Sequence, residues 1–122
     1  MRQLTYAVLK EGDGGILRQA PERVLQFGEG NFLRGFADDF IDRMNERAGF
    51  YGRVVVVPPA SAGKAGRINA QQGLYQLCLR GKQNGAVVEE RRMIRCISRA
   101  LDVFADWDEL LRTACQPELR FV

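Results

Sequence analysis

The chain has 122 residues, 46% of them hydrophobic, with 18 basic and 15 acidic side chains, no histidine and a net charge of +3. That supplies a core for one domain. The charge is too small, and arginine too interleaved with acids, as in Glu89-Glu90-Arg91-Arg92, to suit a nucleic-acid backbone.

In chain order, residues 1–21 come first as an N-terminal extension. Leu4–Leu9 and Gly15-Ile16-Leu17 flank the turn signal Glu11-Gly12-Asp13-Gly14, which predicts a small hairpin without a function of its own. Val24-Leu25-Gln26-Phe27 reads as a short apolar strand, Gly28-Glu29-Gly30 as a tight turn, and Asn31 to Arg47 as an amphipathic helix. In that helix Phe32, Phe36, Phe40, Ile41 and Met44 recur at helical spacing and are expected to pack on the sheet. Asp38, Asp39, Asp42, Arg43, Glu46 and Arg47 fall on the other side, with Asn31 as N-cap and Gly49 as stop. Arg53-Val54-Val55-Val56-Val57 has the β-branched run of a buried parallel strand.

The loop Pro58 to Gly66 follows. Leu74–Leu79 then predicts a strand, Asn84-Gly85 a turn, and Val87 to Ile97 one long returning strand. Such a hairpin lies outside the minimal βαβ repeat, so the sheet is expected to be mixed. Asp106 and Glu109 have capping-box spacing, opening a helix with Leu110, Leu111 and Ala114 that stops before Pro117. Leu119-Arg120-Phe121-Val122 reads as the start of a further strand. The predicted fold class over residues 22–122 is α/β: a Rossmann-like dinucleotide-binding domain, mainly parallel, with an added antiparallel hairpin, truncated at its C-terminus.

The chemistry centres on the strand–turn–helix. Gly28 and Gly30 allow the backbone to approach a phosphate, and the amides around Asn31, Phe32 and Leu33 open a helix whose start carries partial positive charge. The third glycine of G-x-G-x-x-G falls here on Leu33. Arg34 either bonds a phosphate or faces solvent. Glu29 is unexpected beside a diphosphate; its side chain either points outward or orders the turn. After the second strand, where an acid often holds the ribose hydroxyls, this chain has proline and alanine. Ser61 or backbone groups are then the candidates for the ribose, and Lys64 or Arg67 the candidates for a 2′-phosphate, against the plainer reading of a solvated basic loop. The cofactor choice between NAD and NADP stays open on these residues.

Gln26-Phe27-Gly28-Glu29-Gly30-Asn31-Phe32-Leu33-Arg34-Gly35-Phe36 resembles the nucleotide-binding fingerprint of the long-chain polyol dehydrogenases, the mannitol dehydrogenase family. The likeness continues through Val54–Pro58 and Ile68–Tyr75 and covers roughly residues 22–122. It implies NAD as cofactor. It also implies hydride transfer to a small-molecule keto sugar acid or polyol, as in reduction of tagaturonate to altronate. Mannonate-oxidising relatives usually carry a histidine after the aromatic, and this chain has none. Members of the family are several times longer and place a proton-transferring lysine in a later helical domain. The resemblance therefore implies an N-terminal fragment without that domain and with no catalytic residue of its own. Lys10, Lys64 and Lys82 match no such motif. A non-catalytic nucleotide-sensing module and a protein-interaction domain with purely structural glycines are the competing readings.

The remaining signals are exclusions. No run approaches the ~20 apolar residues that cross a membrane, and no signal peptide is visible, so a cytoplasmic location is expected. Cys78, Cys96 and Cys115 are widely spaced and form no C-x-x-C, which predicts reduced thiols and no metal site. Oligomeric state is not encoded in any pattern found.

Overall fold

The computed structural model describes residues 3–9, 17–59 and 63–122. Strands β1 (Glu22–Phe27), β2 (Arg53–Val57) and β5 (Ile97–Ala100) form a wholly parallel sheet in the order β1-β2-β5. On the free side of β1, Val24 bridges Phe121 in parallel, and Phe121 accepts the Leu25 N–H at 3.0 Å. The chain's last residues thus begin a fourth position beside β1. The resulting order, third–second–first–fourth, is that of a doubly wound nucleotide-binding sheet.

Alternation along the strands explains why both faces are covered. Val24, Val54 and Val56 point into one core with Ile94, Cys96 and Ala100, against which Ile41 of helix α1 (Asp38–Arg47) and Ile68 of α2 (Lys64–Ala70) pack. Leu25, Val55 and Val57 point into the other, with Leu101 and with Leu110 of α3 (Trp107–Ala114). A strand buried on both faces is apolar throughout, which is why β2 reads as four consecutive valines.

Between α2 and β5 the chain makes β3 (Tyr75–Gln83) and β4 (Ala86–Ile94), an antiparallel pair closed by Asn84 and Gly85 at φ 53° and 79°. Positive φ at both turn residues suits the twist of a two-residue hairpin. This hairpin is a separate two-stranded sheet, so the expectation of one mixed sheet is corrected. The expected single strand Val87–Ile97 is also two strands. The Arg95 N–H leaves the hairpin to donate to Asp42 Oδ1 (2.8 Å), and the Cys96 carbonyl accepts from Val54 N–H (2.8 Å), carrying the chain into the parallel sheet.

Other expectations are also revised. The segments predicted to flank an N-terminal hairpin contain 3-10 turns, Tyr6–Val8 and Leu17–Gln19, while the predicted turn at 11–14 lies outside the described residues. Asp106 does precede α3, but its carboxylate accepts the Asp102 N–H (2.8 Å) rather than capping the helix, and Glu109 pairs with Arg99 and Arg112.

The largest correction concerns the first helix, which opens at Asn31, passes through a π-helical turn (Leu33–Ala37) and continues as α1. Its phenylalanine stripe is not core: Phe32, Phe36 and Phe40 are 73%, 53% and 57% exposed, whereas Asp38, Asp39 and Asp42 are buried. The acids are held by the end of the hairpin. Arg92 reaches Asp39 at 2.9 Å, Asp42 at 3.2 Å and Glu46 at 3.2 Å, and Arg43 closes on Asp39 at 3.0 Å. A buried carboxylate with several charge-assisted bonds is tolerated, and here that pairing sets which face turns inward.

Candidate functional site

The β1–helix turn lies at the carboxyl end of the parallel strands, where open α/β sheets take ligands. The Gly28 N–H donates to Val57 O at 2.8 Å, extending the β1–β2 ladder by one residue. The backbone then turns with Gly28 at φ +109°, a conformation rarely adopted with a side chain. A Cβ on Gly28 would stand 3.1 Å from Leu33 Cδ1. Leu33, at the place of a third glycine, therefore packs across the turn.

Gly30 behaves differently: a Cβ there would meet nothing within 4 Å, and Gly30, Asn31 and Phe32 are all exposed. Arg34 N–H is the first amide of the helix to find a backbone acceptor, the Gly30 carbonyl at 3.0 Å. Gly30 thus stands at the cap position expected of Asn31, and Asn31 is the first helical residue. The amides of Asn31, Phe32 and Leu33 precede the first intrahelical bond, as at any helix start. Open space over Gly30 beside unsatisfied donors suits an anionic group.

Two cations flank these amides, both engaged by the turn's own acid. Glu29 lies 3.2 Å from Lys64 Nζ and 3.6 Å from Arg34. Its largely shielded side chain orders the turn and ties it to α2, which decides between the two readings of Glu29. The Arg34 guanidinium lies 4.4 Å over the Tyr75 ring, and the Tyr75 hydroxyl donates to the Arg34 carbonyl at 2.6 Å. Burial, then the neighbouring Asp38, pushes the Tyr75 phenol above its usual range, so it remains a donor. A cleft of about 280 Å³ is lined by Glu29, Arg34, Lys64, Arg67, Ile68 and Gln71. A second, of about 300 Å³, opens on the other side of Arg34 beside Asn31, Gly35 and Tyr75. Arg34 therefore stands between two clefts, half-exposed and stacked. Arg67 is exposed at the first cleft, and Ser61 lies outside the described residues.

Sequence reasoning missed the support beneath the turn. Gln26, buried on β1, donates through Nε2 to Gly28 O (3.2 Å) and Asp38 Oδ2 (3.4 Å). Asp38 is fully buried, and its Oδ1 has no hydrogen-bond partner. Burial pushes its carboxyl from 3.8 to about 6, against the opposing effects of the Gln26 bond and Arg34. A glutamine inside an otherwise apolar strand was the available signal. Among the described residues no group of three His, Cys, Asp or Glu side chains is placed to hold a metal ion, and the three cysteines are free.

No family model matches the chain. Over 104 residues it is 47% identical to an altronate oxidoreductase of Bacillus subtilis (strain 168) and 49% identical to one of Bacteroides thetaiotaomicron. In both cases 85% of this chain is covered, and it spans 22% of the relative's length. Among solved structures, a Pseudomonas fluorescens mannitol 2-dehydrogenase in a ternary complex with NAD and D-mannitol matches 87% of this chain. Its TM-score is 0.71 at 23% identity, over 22% of that enzyme. A substrate-free D-sorbitol dehydrogenase matches 85% of this chain, again over 22% of that enzyme, with a TM-score of 0.70 at 20% identity. These two likenesses show a shared Rossmann-like fold.

Proposed function

We propose that this homologue of the altronate oxidoreductases is the nucleotide-binding part of a hexuronate oxidoreductase, reducing tagaturonate to altronate or running the reverse. The observation that carries this is the open helix start after β1: glycine at 28 and 30, exposed residues at 30, 31 and 32, and cations at 34 and 64 beside a cleft. A dinucleotide fits these residues. Gly30 leaves room for close approach of a diphosphate, the amides of Asn31, Phe32 and Leu33 supply donors, and Arg34 adds a charged one. Gln26 and Asp38 hold the turn from beneath. NAD is favoured because the mannitol 2-dehydrogenase sharing this fold was solved with NAD. When bound, that cofactor supplies the site of hydride exchange. Lys64 and Arg67 give NADP a chemical rationale, though Lys64 is already held by Glu29. We assign no catalytic residue to these 122 residues; proton transfer to the sugar carbonyl belongs to the rest of the longer enzyme, whose location we take to be the cytoplasm.

Titration with NADH and NADPH, read by calorimetry on the chain and on the longer enzyme, tests this. The expected result is saturable NADH binding that Gly30→Ala weakens, with altronate-dependent NAD reduction only in the longer enzyme. Absence of binding to either nucleotide in the longer enzyme would overturn the reading, and altronate oxidation by the 122 residues alone would overturn the division of labour.

A further inference from the structure

Phe32, Phe36, Phe40 and Met44 are spaced by four residues along the first helix, forming one ridge on its outer face. Neighbouring rings already touch, with centroids 5.4 Å apart for Phe32–Phe36 and 6.3 Å for Phe36–Phe40. At exposures of 73%, 53%, 57% and 38%, these side chains leave on the order of 400 Å² of apolar surface open, the size of the largest, often functional, patches on soluble proteins. The same helix buries three aspartates instead, and the ion pairs of Asp39 with Arg92 and Arg43 and of Asp42 with Arg92 fix its rotation, so the ridge cannot roll inward without breaking them. The chain spans 22% of its curated relatives' length, which leaves more than three quarters of such a protein to be placed around it.

We propose that this ridge is the docking surface for the remainder of the longer enzyme, which seats an apolar helix on it. A row at four-residue spacing is the kind of ridge that enters the groove of a second helix. The proposal rests on the chain being part of a longer oxidoreductase, but not on nucleotide binding. Phe32 lies beside Asn31, so the seat and the nucleotide turn share one end of the helix.

The test is the pair Phe36→Gln and Phe40→Gln, made in the longer enzyme and in the 122-residue chain, with Phe36→Leu and Phe40→Leu as apolar controls. Melting temperature, limited proteolysis at the junction and sedimentation are measured on each. The longer enzyme should melt several degrees lower and release the 122-residue part faster with glutamine but not with leucine. The isolated chain should keep its melting temperature with either. Unchanged melting and proteolysis of the longer enzyme would overturn the proposal, as would an equal loss in the isolated chain. An isolated chain that is a dimer, and becomes a monomer with glutamine, would instead assign the ridge to a second copy. NADH titration of the same samples reads the nucleotide site separately, so either idea can fail without the other.

Discussion

Asp38→Asn isolates the buried carboxyl under the glycine turn. The folded protein holds the Asp38 proton up to about pH 6, whereas the unfolded chain releases it near 3.8. Between those values the folded state binds more protons, so the Asp38 contribution to stability falls as pH rises; it is complete below about 4 and gone above about 6. The gap between the two values corresponds to about 3 kcal/mol. An asparagine keeps an oxygen for Gln26 Nε2 but places an NH2 near the present Oδ1, which has no partner; that costs about 1 kcal/mol. The variant should therefore be about 2 kcal/mol more stable than the parent at pH 7.5 and about 0.5 kcal/mol less stable at pH 4. Urea unfolding followed by circular dichroism across pH 4–8 measures the difference curve, in which titration of groups not coupled to Asp38 cancels; Asp42 is the coupled neighbour. A difference independent of pH, or Asp38→Asn less stable at pH 7.5, would refute an ionised, desolvated carboxylate at this position.

Four further substitutions probe the turn and its supports. Gly28→Ala should lower stability by about 1–3 kcal/mol, because residue 28 sits at φ +109° and the added Cβ meets Leu33 at 3.1 Å. Gly30→Ala should cost no more than about 1 kcal/mol, yet weaken NADH binding; equal thermal losses in the two variants would contradict this split. Arg92→Ala leaves Asp39 with Arg43 and Asp42 with the Arg95 N–H, and should cost about 1.5–3 kcal/mol in urea unfolding. A loss below 1 kcal/mol would mean that the acids do not depend on Arg92. Glu29→Gln frees Arg34 and Lys64 from their present partner and should raise nucleotide affinity several-fold with a steeper salt dependence. Calorimetry at two ionic strengths would read both, and unchanged affinity would rule out competition for these cations.

Much of the framework was legible because it depends on local chemistry. Four valines specify a strand covered on both faces, Asn84-Gly85 specifies a hairpin, and Gly28–Gly30 specifies a turn between an apolar strand and a helix. The orientation of the first helix was not legible. Periodicity shows that Phe32, Phe36, Phe40 and Met44 share a side, but which side faces the sheet was set by Arg92, some fifty residues onward, pairing with Asp39 and Asp42. The break between β4 and β5 escaped detection for the same reason, since Asp42 captures the Arg95 amide in an otherwise continuous β-prone run. At the turn, residue types named the candidates, while the Glu29 pairing with Lys64 and the Asp38–Gln26 support required three dimensions.

The strand order also dictates an order of assembly. Ala86 meets Gln83 across a two-residue turn, but Val24 must find Val54, Val54 must find Ile97, and Val24 must also find Phe121 at the far end of the chain. Local hairpins close in microseconds, whereas pairings that enclose long loops pay loop-closure entropy first and form slowly. The hairpin is expected to close before the sheet it adjoins, bringing Arg92 into place as a counter-charge for Asp39 and Asp42. Phe121 encloses the longest loop of these pairings, so until it arrives the strand leading into the glycine turn has one side unzipped.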